Sequence, residues 1–458
     1  MIKLVDDLES FKDTFPKNFW LKISNQYLKI PEKRNYKKII EEVYKSLNNQ
    51  NYYPSKPCYY IDKNKGNGVL RRIPVLELKD YLVYFYCLKK LESKLAMNRV
   101  PNTYGGWSLG GLIRQSEKEE LKPLTGNLTL DWSNNSSIPT FSYNERAWVQ
   151  YYGDFQKNLY AHLNEMLRKN GTKFLMVVKF DIEKFYDSIR LNLLEKNIRA
   201  ICDTNHTPIV DLLIHFLKYW NRDINGYDSQ QTGLPQDALA DCSRILANFY
   251  LQTYDQQIYD YTNKNKSHFF RYSDDQIIIT QNYQEAENSL HKASIELSKV
   301  GLNINKAKVS YFTLQELIDH FSFKEFKALS ENKNNSKTLQ EVAESYLNAG
   351  ELTKKEPLLY KILDQDLSIL RHDLRTRLLS DSYEKKFITI YSNSHTFFRI
   401  YKNLKGEEKV SFIKYLDGLC QENEFTGFHF ELLNFYREIK KNTQKVEKRI
   451  KGLQEKWS

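Results

Sequence analysis

The chain has 458 residues, and its formal net charge of +11 favours a polyanionic partner. Hydrophobic residues make up 41% of the sequence, which is enough for packed cores and argues against wholesale disorder. With only 17 Gly and 11 Pro, collagen-like and Gly/Pro-rich low-complexity classes are excluded. At ~150 residues per domain, the length suggests about three domains or subdomains.

The cysteines and the start of the chain indicate a reducing cellular compartment. The five cysteines form no CxxC pair, and no Cys/His cluster has zinc-ligand spacing, so we expect neither disulfides nor structural zinc; they are Cys58, Cys87, Cys202, Cys242 and Cys420. The start MIKLVDDLESFKDTF lacks the apolar segment of a signal peptide. The longest apolar runs are far below the ~20 residues that span a bilayer. We therefore expect a cytoplasmic protein with no membrane partner.

In chain order, residues 1–100 show mainly helical patterns. Leu76–Met97 has helical periodicity with basic residues on one side. Ahead of it, the segment LRRIPV places Arg71 and Arg72 just before Pro74, where an extended backbone is favoured. Residues 101–145 contain two Gly-Gly pairs and polar, turn-rich sequence, which predicts a long irregular insertion.

Residues 172–312 alternate strand-like and helix-like patterns, and they include two strand-like runs around a Ser-Asp-Asp turn. The predicted elements are a strand at Lys173–Ile182, helices near Leu191–Ala200 and at about Ala238–Tyr261, a hairpin at His268–Thr280, a helix near Gln284–Val300 and a strand at Lys308–Phe312. This order predicts an α+β sheet with helices on one face. From about Glu325 to the end, the sequence is strongly helical and charged.

Carboxylates mark a candidate site. Asp181 ends an apolar strand, where a charge is costly unless something compensates it. Asp274 and Asp275 are adjacent in the hairpin turn, where they repel each other and favour a cation. Mg²⁺ takes oxygen ligands, and two such ions can catalyse nucleotidyl transfer. If the hairpin lies beside the first strand, the carboxylates share a metal site; taken singly, each is an ordinary turn or helix-capping residue.

Four segments in a fixed order resemble the palm motifs of reverse transcriptases. They are FDIEKFYDSI (180–189), GLPQ (233–236) with SRILANFYL (243–251), RYSDD (271–275) and GLNINKAK (301–308). The resemblance covers about residues 70–312 and implies a right-hand polymerase fold with fingers, a palm with an antiparallel sheet and a helical thumb-like region. The segments RRIPV and NRVPNTYGGW further resemble abortive-infection and defence-associated reverse transcriptases of bacteria. That subgroup implies antiviral (anti-phage) defence.

The resemblance implies catalytic roles for particular residues. Asp181, Asp274, Asp275 and the backbone carbonyl of Ile182 would bind two Mg²⁺ ions, for which Mn²⁺ could substitute. Lys308 would stabilise charge on the leaving pyrophosphate or donate a proton to it. From the residues alone, Lys308 is equally consistent with a solvated surface lysine.

Other residues are implied in nucleotide binding. Tyr186 matches the aromatic gate that excludes a ribose 2′-OH, although a core tyrosine is the alternative. Gln236 matches a residue near the incoming nucleotide, and Arg72, or else Arg71, matches the basic residue that grips its triphosphate. The sequence departs from the family at Asp237, where Gly is usual, and an aspartate near phosphates is repulsive unless it binds a base or a cation.

We therefore predict an RNA-directed DNA polymerase with fingers at residues 1–171, a palm at 172–325 and a helical thumb-like region at 326–458. Its partners would be an RNA template, the DNA product and dNTPs. The sequence leaves open whether the template is a dedicated non-coding RNA, and whether the protein forms a homo-oligomer or binds an accessory protein. Template-independent terminal transfer, protein-primed DNA synthesis and RNA-dependent RNA synthesis on the same fold are alternatives. A non-enzymatic nucleic-acid-binding protein with a decayed palm is another.

Overall fold

The structure is a computed structural model that describes most of the chain. The described residues are 4–5, 7–15, 19–20, 23, 26–27, 33–66, 69–107, 109, 112–113, 122–123, 130–131, 140–141, 147–170, 175–222, 226, 228–236, 240–332, 335–348, 352–382 and 394–457. Most of the insertion predicted at 101–145 lies outside the described residues, and so does Asp237.

The described strands range from two to eight residues. They are β1 (Tyr59–Gly66), β2 (Val69–Val75), β3 (Thr103–Tyr104), β4 (Leu112–Ile113), β5 (Lys122–Pro123), β6 (Leu130–Asp131), β7 (Thr140–Phe141), β8 (Met176–Asp181), β9 (His268–Tyr272), β10 (Asp275–Thr280) and β11 (Ser310–Thr313).

Helices make up most of the described residues. They are α1 (Leu8–Asp13), α2 (Lys33–Asn48), α3 (Leu78–Leu95), α4 (Ala147–Asn170), α5 (Phe185–Ser188), α6 (Leu191–Ile201), α7 (Thr207–Tyr219), α8 (Ala240–Tyr250), α9 (Gln252–Lys264), α10 (Tyr283–Lys299), α11 (Leu314–His320), α12 (Phe323–Glu331), α13 (Ser336–Asn348), α14 (Leu352–Leu363), α15 (His372–Ser382), α16 (Ser394–Lys402), α17 (Glu407–Glu422), α18 (Thr426–Glu438) and α19 (Gln444–Trp457).

Five strands form the main sheet, in the order β11-β8-β10-β9-β3. Neighbours among β11, β8, β10 and β9 are antiparallel, and β3 joins β9 in parallel. The predicted hairpin is β9 and β10, and β10 pairs directly with β8. The hairpin therefore lies beside the first predicted strand, which is the arrangement that the shared metal site requires.

The sheet forms because its inner strands are continuous apolar runs. Val177 and Val178 of β8 and Ile277–Ile279 of β10 are almost completely buried. Since successive residues of a strand point to opposite faces, both faces of the sheet are covered. Helix α9 packs on β9, and α10 packs on β8 and β10. Helix α3 is buried along most of its surface and packs on α2, α7 and α8.

Most of the predicted elements are confirmed, and so is the α+β class. The helix predicted at Leu76–Met97 is α3, the one near Leu191–Ala200 is α6, and the one near Gln284–Val300 is α10. The extended backbone predicted for the arginine segment is β2, and the described residues after Glu325 are strongly helical.

Two predictions about helices were wrong. The single helix predicted at about Ala238–Tyr261 is two helices, α8 and α9, which meet at Leu251. The Leu251 N–H is shared by the carbonyls of Ala247 and Asn248, so the last turn of α8 tightens there. Helix α7 is absent from the predicted elements, although Pro208 in its first turn is a helix-start signal.

The last predicted strand was placed two residues too early. It begins at Ser310, because Lys306–Lys308 forms a short 3₁₀ turn. The Asn305 side chain accepts a hydrogen bond from the Ala307 N–H at 3.2 Å and caps this turn. Lys308 therefore ends a turn and does not begin a strand.

The chain forms two compact units. One comprises Met1–Cys58 and Pro74–Leu317, and the other comprises Tyr59–Ile73 and Ile318–Ser458. The first unit contains the main sheet, and the second contains β1, most of β2 and the helices α12–α19. The boundaries at residues 171 and 325 stay a prediction. None of the described helices combines the length and the apolar character needed to cross a bilayer.

Candidate active site

The three predicted carboxylates meet at one end of the main sheet. Asp181 is the last residue of β8 and is only 4% exposed, and Asp275 is the first residue of β10. The register of these antiparallel strands sets Asp275 opposite Asp181. Asp274 precedes it in the turn after β9. Strand pairing thus brings together carboxylates that are distant in sequence.

The turn that carries Asp274 has an unusual backbone. Ser273 has a φ of 55°, in the left-handed region that residues with a side chain seldom adopt. This conformation reverses the chain within two residues, between the ends of β9 and β10. Strained residues of this kind concentrate at functional sites when the surrounding structure holds them in place.

Negative charge is concentrated at this sheet end. Burial, followed by the charges of Asp275 and Asp181, raises the pKa of Asp274 to about 6. Two lysines offset part of the charge: the Lys308 ammonium donates to Oδ2 of Asp181, and Lys179 Nζ lies 3.4 Å from Oδ1 of Asp275. Burial lowers the pKa of Lys308, but its hydrogen bond to Asp181 and the surrounding charges outweigh burial and raise it.

The donor set has the chemistry of a Mg²⁺ site. Carboxylates and a backbone carbonyl are hard oxygen ligands, and a cation would offset both the burial and the neighbouring negative charges that raise the pKa of Asp274. Within the described residues, no three His, Cys, Asp or Glu side chains are already grouped around a metal position. Asp181 and Asp275 are paired with lysines, so bound cations would compete with these ammonium groups for the carboxylates.

The Ile182 carbonyl is consistent with a ligand role. Ile182 forms an isolated antiparallel bridge with Ile304 in the GLNINKAK segment. The hydrogen bonds of this bridge are made by flanking residues, among them the Asn305 N–H that donates to the Asp181 carbonyl at 2.8 Å. The pairing therefore does not use the Ile182 carbonyl, which lies on the opposite side of the backbone.

Tyr186 lies beside the hairpin turn. Its hydroxyl is 3.4 Å from Oγ of Ser273, and its side chain is half-buried. Burial raises the pKa of Tyr186, although the nearby Arg244 guanidinium opposes the shift, so the phenol is neutral at pH 7. The ring is thus next to the carboxylates and is not sequestered in the core, unlike the neighbouring Phe185.

Hydrogen bonds connect the GLPQ loop to the segment after β8. The Leu234 N–H donates to the Tyr186 carbonyl at 3.0 Å, and the Gln236 amide donates to Oδ1 of Asp187 at 3.2 Å. Gly233, with a φ of 101°, permits the turn that starts this contact. Gln236 therefore contacts Asp187, the residue that directly follows the predicted gate, Tyr186.

A fully buried arginine supports the hairpin turn. Arg271 forms two hydrogen bonds with the Asp255 carboxylate, at 2.6 and 2.8 Å, and neither side chain is more than 1% exposed. The same guanidinium donates to the Ser273 carbonyl and to Oδ1 of Asn248, both at 2.8 Å. The Asn248 amide in turn donates to the Gly106 carbonyl at 2.8 Å. These bonds join β9, α8, α9 and the segment after β3 directly behind the turn.

Sequence reasoning missed Arg271, Asp255 and Asn248. The available signal was an arginine inside an otherwise apolar strand, because a buried guanidinium requires a counter-charge. The partner cannot be identified from sequence, since α9 contains two carboxylates, Asp255 and Asp260, and only the packing of α9 on β9 selects Asp255.

Arg71 and Arg72 belong to the other compact unit, on β2. Arg72 Nε is 3.3 Å from Oδ1 of Asp62, and its guanidinium carbon lies 4.4 Å from the centroid of the Tyr60 ring. The Arg72 side chain is 56% exposed. Both arginines are thus accessible, and Arg72 is oriented by a carboxylate and a ring on β1.

A family model identifies the class of this segment. Residues 132–352, slightly less than half of the chain, match the family described as "Reverse transcriptase (RNA-dependent DNA polymerase)". The matched range includes the three carboxylates, the GLPQ loop and the hairpin. This segment is thus similar to a reverse transcriptase domain, which is a class of nucleotidyltransferase.

Several solved structures have a distant likeness to this chain, and no curated protein matches it significantly. Telomerase from Candida albicans with a fragment of telomeric RNA has 12% identity and a TM-score of 0.34; the likeness covers 76% of this chain and 64% of that one. Apo telomerase from Candida tropicalis has 13% identity and a TM-score of 0.31, with 96% and 81% covered. These likenesses are too distant to carry an argument about function.

Proposed function

We propose that the chain synthesises DNA from dNTPs on an RNA template by two-metal nucleotidyl transfer, with a primer 3′-hydroxyl as the attacking group. The observation that carries the proposal is the register of β8 and β10, which sets Asp275 opposite Asp181 beside the turn that bears Asp274. The family match over the same residues supports it independently. The three carboxylates are retained, which speaks against a decayed, non-enzymatic palm.

In this proposal, Asp181, Asp274, Asp275 and the Ile182 carbonyl hold two Mg²⁺ ions, for which Mn²⁺ can substitute. When bound, the ions stabilise the charge of the attacking and leaving oxygens. Asp181 is almost fully buried, so electrostatic interactions at its carboxylate are stronger than in bulk water.

Lys308 and the nucleotide-binding residues complete the proposed site. Lys308, whose side chain is 57% exposed, can leave Asp181 and stabilise charge on the pyrophosphate or donate a proton to it. The Tyr186 ring excludes a ribose 2′-hydroxyl, and Gln236 contacts the incoming nucleotide. Arg72, or Arg71, binds the triphosphate by charge-assisted hydrogen bonds.

The proposed role is antiviral defence in the cytoplasm of a bacterium, with DNA synthesis as the active event. It is supported by the segments RRIPV and NRVPNTYGGW, which resemble defence-associated reverse transcriptases. A dedicated non-coding RNA is one candidate template. Sequencing the nucleic acid that copurifies with the protein identifies template, product and priming in one measurement. A phage-plating assay with the wild type and Asp274→Asn tests the role, since defence by the variant at wild-type level would contradict it.

The activity is tested with purified protein, labelled dNTPs or NTPs, and a primed RNA template that is present or omitted. We expect DNA synthesis that requires RNA and Mg²⁺. Asp181→Asn and Asp274→Asn should each lower incorporation by about 100-fold or more, because each removes a charge that the transition state requires. Asp260→Asn, an exposed carboxylate on α9, is the matched control and should be neutral.

Each combination of variant, nucleotide and template tests a different alternative. Near-normal incorporation by either site variant would contradict the active-site assignment. Polymer formed equally well without RNA would favour template-independent transfer, and incorporation of NTPs alone would favour an RNA polymerase. No polymer in any arm with the wild type would favour a binding protein.

A further inference from the structure

The ribbon that carries Arg72 is part of the C-terminal unit. Residues Tyr59–Ile73, which comprise β1 and most of β2, group with Ile318–Ser458 and not with the residues that flank them in sequence. We call β1 and β2 the Arg72 ribbon. Helix α18, from the far end of the chain, packs on β1. A contact between segments more than 350 residues apart is costly in chain entropy, so it must be stabilised by specific interactions.

The contact has a polar and a stacked component. The Thr426 hydroxyl, in the first turn of α18 and 2% exposed, accepts a hydrogen bond from the Asp62 N–H at 2.7 Å. The Phe430 ring, one turn later, stacks on Tyr59 with centroids 5.7 Å apart and an interplanar angle of 13°. Lys63 Nζ lies 3.2 Å from Oε1 of Glu431.

Gly427 allows the helix to approach the ribbon closely. A Cβ atom at this position would lie 2.8 Å from the Asp62 carbonyl oxygen and 3.0 Å from Cα of Lys63. Both are backbone atoms, so any side chain here would have to displace the ribbon itself. The first turn of α18 is thus fitted to the backbone of residues 62 and 63.

The same residue that α18 holds also orients Arg72. Asp62 is bound through its N–H to Thr426, and its carboxylate is 3.3 Å from Arg72 Nε. Burial raises the pKa of Asp62, although the charge of Arg72 opposes the shift. The Asp62 side chain is 15% exposed and lies within ion-pair distance of the Arg72 guanidinium, which favours a position of Arg72 beside this carboxylate. Thr426, Asp62 and Arg72 form a short chain of contacts from α18 to an exposed cation.

We propose that α18 sets the position of Arg72, so that the C-terminal unit controls how tightly the enzyme binds the triphosphate of the incoming nucleotide. This inference rests on the proposed role of Arg72 in nucleotide binding. Thr426, Gly427 and Asp62 act here as positioning residues, through Arg72. Any ligand or partner that shifts α18 would change nucleotide affinity without touching the carboxylates.

The test measures KM and kcat for dNTPs with the full-length protein. Thr426→Val keeps the shape of the side chain and removes the hydrogen-bonding oxygen; Gly427→Ala displaces the ribbon by a second route. We expect each to raise KM about 3- to 10-fold, the effect of one lost hydrogen bond, with kcat nearly unchanged. Thr443→Val is the matched control, because its hydroxyl bonds to Glu447 within its own helix segment. It should leave KM unchanged.

A double-mutant cycle separates positioning from a general loss of structure. In an Arg72→Ala background, which should itself raise KM, Thr426→Val should have no further effect on KM. Additive effects would overturn the inference, and so would an unchanged KM in both α18 variants while Arg72→Ala raises it; the proposed function would survive either result. If Arg72→Ala leaves KM unchanged, the triphosphate role of Arg72 is wrong and the inference fails with it.

Discussion

At the residue scale, the sequence predicts that the three carboxylates lie close together, as the register of β8 and β10 shows, but it does not predict their environment. The order of the motifs indicates that Asp181, Asp274 and Asp275 belong to one site. An aspartate at a strand end and a pair in a hairpin turn are each ordinary, but their combination in this order is specific. The ion pairs with Lys308 and Lys179 depend on which side chains the folded sheet brings within reach. No local pattern encodes such distances.

Tyr186 provides the sharpest residue-scale prediction. Tyr186→Val should raise the ratio of NTP to dNTP incorporation about 10-fold or more, because the smaller side chain leaves room for the 2′-hydroxyl. The ratio is measured on one primed template with wild type and variant. Tyr283→Val, which alters an exposed tyrosine at the start of α10, is the control. An unchanged ratio would return Tyr186 to a packing role.

A second residue-scale prediction concerns pH and Asp80, which lies in the first turn of α3 and is 1% exposed. The Tyr52 hydroxyl and the Ser55 N–H donate to its carboxylate, but burial dominates and raises its pKa to about 7. The folded protein therefore binds this proton more tightly than the unfolded chain, where an aspartate titrates near ~4. The contribution of protonated Asp80 to the free energy of unfolding is fully present below about pH 4 and is lost as the pH rises through about 7.

Asp80→Asn should remove this pH dependence. From pH 5 to 7, the free energy of unfolding of the wild type should fall relative to the variant by up to about 1.4 kcal/mol per pH unit, and the difference should level off above pH 8. Thermal melts followed by circular dichroism at several pH values report it as a fall in the Tm of the wild type relative to that of the variant. A difference in Tm that is constant over this range would contradict the prediction.

At the scale of elements, the predictable parts were those with local signals. The hairpin follows from two apolar runs around a polar turn, and α3, α6 and α10 follow from periodicity. The break between α8 and α9 has no such signal, since Leu251 is a good helix former. The hydrogen bonds of Arg271 with Asn248 on α8 and Asp255 on α9 likewise depend on how these helices pack.

The buried pair behind the turn gives the element-scale prediction. Asp255→Asn leaves the Arg271 guanidinium buried without its counter-charge, and we expect it to destabilise the protein by about 3–5 kcal/mol. Arg271→Lys keeps the charge but loses the planar set of bonds to Asp255, Asn248 and Ser273, so incorporation should fall about 10-fold or more at a temperature where the variant is folded. Circular dichroism melts and single-turnover incorporation separate the two effects.

If the hairpin turn does not depend on the hydrogen bonds of Arg271, the Arg271→Lys variant will incorporate dNTPs at the wild-type rate. Lys292→Arg, an exchange between the same two residue types on α10, is the control for surface charge. It should change neither melting nor incorporation.

At the scale of the whole molecule, the sequence indicates a helical C-terminal region but not its connection to the Arg72 ribbon. Local periodicity predicts the helices, because each buries one face. The ribbon is far away in sequence, and the fit of Gly427 against Asp62 and Lys63 is a tertiary property. The compact units thus cut across the order of the chain, whereas motif-based boundaries at 171 and 325 follow it.

The last helix, α19, combines a packed face with a basic one. Val446, Ile450 and Leu453 are buried, so deleting residues 441–458 would expose the core of the C-terminal unit. Several basic residues of the tail form contacts within this unit: Lys441 pairs with Asp417, Lys456 pairs with Glu424, and Arg449 donates to two backbone carbonyls at the C-terminal end of α17. Within the described part of the chain, Lys445, Lys448 and Lys451 are exposed and form no ion pair.

These three lysines give the final prediction, that α19 contributes a phosphate-binding surface of the thumb-like region. Reversing Lys445, Lys448 and Lys451 to Glu should weaken binding to a primed RNA template and shorten the DNA products. It should also reduce the slope of log K against log salt by up to about 3, since each phosphate contact releases about one counterion. Changing the same lysines to Gln should give about half the loss in log affinity, which separates charge from shape. If slope, affinity and product length all stay at wild-type values, α19 is a structural helix whose basic face is merely solvated.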